Sequence, residues 1–162
     1  MSIHLNEINK IQEVFTRYLT EKSLRKTTER FTILEHICHI KGHFDVEMLR
    51  LRLEEHNFHV SRASIYNTIE LLMDAHLVVR HQFSSQLVEY ELKILATTHY
   101  HVVCCYCDTI KEIKSDKCSK EIANLKISKF TYEHHSLFIY GMCSKCKFRL
   151  THQKKNKELI IY

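Results

Sequence analysis

The chain has 162 residues, of which 44% are hydrophobic and 27% charged, with a formal net charge of +5. That is enough for one ordinary domain or two small ones with a packed core. No run of 18 apolar residues occurs, which argues against a membrane-spanning helix. The opening MSIHLNEINKIQEVF lacks the apolar stretch of a secretory signal, so a cytoplasmic location is expected. Seven cysteines, an odd number, then argue against a disulfide framework and for metal binding or thiol chemistry.

In chain order, Ile8, Ile11, Phe15 and Tyr18/Leu19 recur at helical spacing and predict a first amphipathic helix. Thr28 is placed to cap a second, with Phe31, Leu34 and Cys38 on one face. Asp45 is placed to cap a third, with Val46, Leu49 and Leu53 inward, ending near Asn57. Ser61 is placed to cap a fourth, carrying Ile65, Ile69, Leu72 and Met73. The period then changes. Leu77–Phe83 and Leu87–Leu92 are β-rich runs separated by Ser84-Ser85-Gln86, which reads as a hairpin. Four helices and a hairpin make a winged-helix arrangement, whose fourth helix would enter a DNA major groove.

The second half reads as strands at His101–Cys105 and Thr109–Lys114, a helix at Lys117–Lys126, a strand at His135–Met142 and a Lys-rich tail from Phe148. The expected fold class is α+β: a winged-helix DNA-binding domain over 1–93, then a small α/β dimerisation and metal-binding domain over 94–162. Charge divides with it. Residues 1–93 hold 12 Lys/Arg against 13 Asp/Glu, and residues 94–162 hold 12 against 6. With no proline and only Gly42 and Gly141, the turns must be made by Asn, Asp, Ser and Lys.

Cys104-x-x-Cys107 and Cys143-x-x-Cys146 are separated by 35 residues. Each pair can place two sulfurs on one ion, and two pairs make a closed tetrahedral site suited to structural zinc. A single CxxC would serve equally as a redox motif; two are harder to explain that way. Cys38 lies on an apolar helix face and reads as core, and Cys105 alternates away from Cys104. Cys118 carries no sequence signal for reactivity. His99 and His101 share one face of a strand, and Cys104 faces the other way, so the run T-H-Y-H-V-V-C-C-Y-C feeds two different sites. His43, Glu91 and Glu112 could complete an N/O site for Fe(II), Mn(II) or Zn(II).

These segments resemble the ferric uptake regulator family. The resemblance spans about Leu24–Cys146 and is carried by R-K-T-T-E-R-F-T-I-L, G-H-F-D-V-E-M-L, V-S-R-A-S-I-Y-N-T-I-E-L-L, L-V-V-R-H-Q-F, H-Y-H-V-V-C-C-Y-C and H-S-L-F-I-Y-G-M-C-S-K-C. It implies a homodimeric, metal-dependent DNA-binding transcriptional repressor controlling metal homeostasis genes, not an enzyme. Structural zinc would fall on Cys104, Cys107, Cys143 and Cys146. A regulatory metal would fall on His43, Glu91, His99, His101 and Glu112. Glu91 is the loosest match, with Glu89 close by.

A further family site uses residues that here are Thr98, Tyr100, Ser119 and His135; the first three are not ligand types found there, so that site is expected to be absent or degraded. The alternative within the family is a peroxide-sensing repressor acting through iron-catalysed histidine oxidation. H-Y-H and Tyr66-Asn67 resemble that branch, but it favours aspartate where this chain has Glu91 and Glu112. Zinc uptake control is a further alternative.

For double-stranded DNA, an A·T-rich inverted repeat, the resemblance points to Arg25 in the minor groove, and to Tyr66 and Asn67 on base edges. Arg62 and Ser64 suit phosphates or bases, and Arg80 on the wing suits a phosphate. Two readings of other classes compete. One is a hydrolytic zinc centre, for which no GxSxG, HExxH or phosphate-cradling glycine loop exists. The other is a zinc-stapled interaction protein without DNA binding.

Overall fold

The computed structural model describes residues 4–96, 99–131 and 135–158, with side chains to residue 152. The chain divides into two compact units, residues 1–96 and 97–162.

In the first unit, α1 (Leu5–Glu21), α2 (Thr28–Cys38), α3 (Val46–Glu55) and α4 (Arg62–Asp74) precede β1 (Val78–Gln82), β2 (Val88–Leu92) and the short α5 (Lys93–Ala96). The helix starts follow from hydroxyl and carboxylate caps. Asp45 Oδ1 accepts from the Met48 amide at 2.7 Å, and Ser61 Oγ accepts from the Ser64 amide at 3.0 Å. At α2 the cap is Thr27, not Thr28: its Oγ1 accepts from the Arg30 amide, and Thr28 is the first helical residue. Strands β1 and β2 form an antiparallel hairpin in which Val79 faces Glu91 and His81 faces Glu89. Phe44 pairs with Tyr90 through two backbone hydrogen bonds, tying the segment before α3 to the wing.

The near-absence of glycine is met by other residues in the left-handed region. Ser23, Asn57 and His76 close α1, α3 and α4 at φ of 55°, 58° and 56°. Each closure has the Schellman pattern, with Leu24 N–H to Leu19 O at 2.8 Å, Phe58 N–H to Leu53 O at 3.0 Å and Leu77 N–H to Leu72 O at 2.9 Å. A residue with a Cβ pays roughly 1–2 kcal/mol in that conformation. Ser23→Gly is therefore expected to raise the stability of the first unit by about 1 kcal/mol, read as a shift of the urea midpoint with an unchanged slope.

The hydrophobic core lies within this unit. Among the described residues, the buried cluster runs from Ile8 to Leu92, and Phe15, Leu19, Ile33, Leu34, Leu49, Leu53, Ile65, Ile69 and Leu72 are fully inaccessible. Cys38 belongs to it. Burial and the nearby Glu35 push the Cys38 thiol up to about 12, so it packs as a small apolar group.

In the second unit, β3 (Tyr100–Cys104), β4 (Ile110–Ile113), α6 (Asp116–Ala123), β5 (Phe138–Gly141) and α7 (Ser144–Glu158) follow in order. The sheet order is β4-β3-β5, with β4 antiparallel and β5 parallel to the central strand. The tail beginning at Phe148 continues a helix that starts at Ser144. Burial is sparse here. Ile113, Leu125, Ile127, Phe130, Ile139, Tyr140 and Met142 are exposed in the single chain. Among the described residues no helix is long and apolar enough to cross a membrane.

Candidate metal centres

The two CxxC pairs meet in the second unit. Cys104 ends β3, Cys107 lies in the tight turn that follows, and Cys143 and Cys146 bracket the start of α7. The turn closes through Asp108 N–H to Cys104 O at 2.9 Å, with Asp108 in the left-handed region at φ 52°. The parallel pairing of Cys104 with Gly141 brings the second pair alongside the first. All four sulfurs lie within 4.8 Å of one another, and Cys107 Sγ to Cys143 Sγ is 3.8 Å. A tetrahedral zinc with bonds of about 2.3 Å requires sulfurs about 3.8 Å apart, so the residues fit that ion.

Backbone amides supply part of the electrostatics. Cys143 N–H donates to Cys104 Sγ at 3.3 Å, and Cys146 N–H to Cys143 Sγ at 3.5 Å. The Cys143 amide, with that of Tyr106, pulls the Cys104 thiol down to about 6. Burial and the other three sulfurs push Cys146 up to about 12. Four thiolates repel one another unless a dication sits among them, which is why this cluster calls for a metal rather than for free thiols. Cys105 is exposed and Cys118 half-buried, and neither is in the cluster.

A second group of ligand types forms inside the first unit. His43 Nε2 lies 3.4 Å from Glu91 Oε2, and His81 Nε2 lies 3.3 Å from the same oxygen. The imidazoles of His43 and His81 meet edge to face at 5.2 Å, and Phe83 stacks on His81. Glu91 and His81 are 0% and 1% exposed, so a carboxylate and two imidazoles converge out of water. Of the two wing glutamates it is Glu91 that meets His43. Glu89 has its carboxyl raised by burial and by Asp45, against a lowering by His81.

His81 is absent from the sequence-predicted set. Alternation along β1 puts positions 79, 81 and 83 on one face, and the hairpin register, which residue order alone leaves open, sets residue 81 diagonal to Glu91.

The remaining predicted ligands lie in the second unit. His99 Nε2 and His101 Nε2 are 3.1 Å apart, both buried, at the start of β3. Glu112 pairs with His101 across β3 and β4, and its Oε1 lies 3.9 Å from His99 Nε2. Nitrogen and carboxylate donors in such groups suit borderline ions such as Fe(II), Mn(II) or Zn(II). At the positions of the expected degraded site, the Tyr100 hydroxyl and Ser119 Oγ are 2.9 Å apart, a neutral contact tying β3 to α6. His135 lies near Tyr100, at 6.2 Å between rings. Thr98 lies outside the described residues.

The predicted DNA-contacting residues are all in the first unit. Tyr66 and Asn67 are exposed on α4, Arg25 is exposed before α2, and Arg80 is exposed on the wing with Nη1 donating to Gln82 Oε1 at 3.1 Å. Ser64 is half-buried and joined to the cap, its hydroxyl 3.1 Å from Ser61 Oγ. Arg62 is held by Glu47 at 2.7 Å, and Glu47 also binds Arg50. Arg50 and Arg62 together hold the Glu47 carboxyl below the usual range.

A winged-helix unit followed by an α/β unit with four clustered cysteines defines a two-unit protein built around metal ligands. The chain belongs to the ferric uptake regulator family, whose sequence model matches residues 21–140. It is 29% identical to a ferric uptake regulation protein of Campylobacter upsaliensis over 148 residues, covering 88% of this chain and 93% of that one. It is 25% identical to a peroxide operon regulator of Bacillus subtilis over 135 residues, covering 83% and 92%. Among solved structures, the Vibrio cholerae ferric uptake regulator aligns with a TM-score of 0.57 at 29% identity over 78% of this chain and 98% of that one. The Pseudomonas aeruginosa ferric uptake regulator with manganese aligns with a TM-score of 0.66 at 23% identity, over 80% and 97%.

Proposed function

We infer that the chain is a metal-dependent, DNA-binding transcriptional repressor of metal homeostasis genes, acting in the cytoplasm as a homodimer. The observation that carries this reading is the convergence of His43, His81 and Glu91 in the winged-helix unit. It is matched by His99, His101 and Glu112 in the second unit. Each unit holds part of a donor set. An ion bound by both sets would fix the angle between the units, a two-state element biased by a ligand with differential affinity. In a dimer that angle sets the spacing of two α4 helices, and half-site spacing on DNA is geometric. Because the donors must be deprotonated, metal affinity falls as pH drops.

The cysteine cluster is read as permanent zinc and the His/Glu donors as the exchangeable Fe(II), Mn(II) or Zn(II) site. The exposed apolar residues of β4, β5 and the segment after α6 support a second copy as the partner, since a monomer rarely leaves so many large apolar side chains in water. Iron control is favoured over peroxide sensing because both carboxylate positions, 91 and 112, are glutamate.

Gel shifts with an A·T-rich inverted repeat, with and without Fe(II) or Mn(II), test the reading: metal-dependent retardation is expected, and no binding under any metal condition would overturn it. Arg25, Arg62, Ser64, Tyr66, Asn67 and Arg80 are the proposed contacts. Positive charge on this unit is local, so the salt slope should be shallower than roughly ten phosphate contacts would give. Glu47 holds Arg62 in a solvent-exposed surface pair, which solvent screening keeps weak. Glu47→Gln frees the guanidinium and removes a negative charge, so it should tighten DNA binding by up to about 5-fold in an anisotropy titration at fixed salt.

A further inference from the structure

Apart from these centres, the ends of α2 and α3 bring three histidines to one surface pocket of about 210 Å³, lined by Glu35, His36, His39, Arg52 and His56. His39 and His56 are the C-caps of the two helices. Each turns its Nδ1 back on the carbonyl four residues earlier, His39 to Glu35 O at 2.8 Å and His56 to Arg52 O at 2.9 Å. A carbonyl oxygen only accepts, so Nδ1 carries the hydrogen in both rings. In the neutral imidazole the lone pair is then at Nε2. Metal-binding histidines have their tautomer fixed in this way, by a carbonyl or carboxylate on the other ring nitrogen.

His36 lies one turn before His39, and its ring meets that of His56 at 4.8 Å, edge to face at 78°. The two helix C-termini carry partial negative charge and favour a cation between them, and Glu35 adds a carboxylate at the rim. Arg52 is the opposing charge. Burial, His56 and Arg52 lower the His36 pKa, with Glu35 opposing them.

We propose that His36 and His56, with His39 and Glu35 lining the same pocket, form an additional surface site for a divalent cation of the imidazole-preferring class, such as Zn(II). The site is separate from the cysteine cluster and from the His/Glu donors around Glu91. Two imidazoles leave coordination positions to water, so the ion is exchangeable.

The test uses the full chain at neutral pH. Zinc uptake is measured by equilibrium dialysis for the unsubstituted protein and for His36→Gln/His56→Gln, with thermal melting of the metal-free proteins as the fold control. The double variant is expected to bind one equivalent fewer. In the unsubstituted protein, the ring resonances of His36 and His56 are expected to shift together as that equivalent is added. Equal uptake by the two proteins would overturn the proposal. So would His36 and His56 resonances unmoved by zinc, a readout that needs no variant to fold.

Discussion

Cys143→Ser is expected to abolish the tightly held zinc and, with it, the folded state of residues 97–162. Cys143 contacts both cysteines of the first pair, through its amide on Cys104 Sγ and its sulfur 3.8 Å from Cys107 Sγ. The buried hydrophobic cluster lies wholly in residues 8–92, and β4 and β5 expose most of their side chains. A unit of this size with so few buried apolar side chains among its described residues depends on a metal or a partner. Structural zinc in small domains supplies roughly 10–16 kcal/mol of apparent binding energy, which is folding energy when the apo site does not persist. Metal analysis should fall from one zinc per chain to none, and sedimentation should move from dimer to monomer. The helical signal of residues 5–74 should survive, because α1 to α4 pack on one another. A variant that stays dimeric with zinc retained would refute this account of the second unit.

Glu91→Ala should have the second large effect, on metal response rather than on folding. Its carboxylate is fully buried between two imidazoles at 3.3 and 3.4 Å. Removing it deletes the anionic donor proposed for the first unit. The exchangeable metal should bind more than about 100-fold more weakly, beyond the cost of losing an outer hydrogen-bond partner. Metal-dependent tightening on DNA, expected at roughly 5–150-fold for an ordinary coupling energy, should vanish, while the cysteine-bound zinc stays. His81→Gln distinguishes a ligand from a partner that merely positions Glu91. A loss of about 10–100-fold in metal affinity marks the positioning role, and a loss as large as that of Glu91→Ala marks a ligand. Calorimetric titration with Mn(II), with zinc content as the control, reads both.

Several of these features were legible from residue order alone because their causes are local. Helical spacing from Ile8 to Leu19, the caps at Asp45 and Ser61, and the β-rich runs on either side of Ser84 act within a few residues. The elements appear where those signals lie. The CxxC pairs were equally plain, since thiolate chemistry and spacing are properties of the chain itself. The one-residue error at Thr27 has the same origin: Thr27 and Thr28 are both able to cap, and the choice depends on which amide faces the hydroxyl. Likewise the need for Asn, Asp, Ser or Lys in turns followed from composition, but only the fold shows that Ser23, Asn57, His76, Asp108 and Lys129 take the left-handed positions.

What the sequence by itself determined about this protein is therefore the winged-helix order, the four thiolates and the family. What only the tertiary structure decided is which distant groups share a surface. His81 joins His43 and Glu91 because hairpin register sets diagonal neighbours across strands, and no spacing along the chain encodes that register. Arg62 is engaged by Glu47 because α4 packs on α3, and His36 meets His56 because α2 packs on α3. Each of these is a through-space contact, fixed by packing of the apolar faces beneath it rather than by the polar residues that make it.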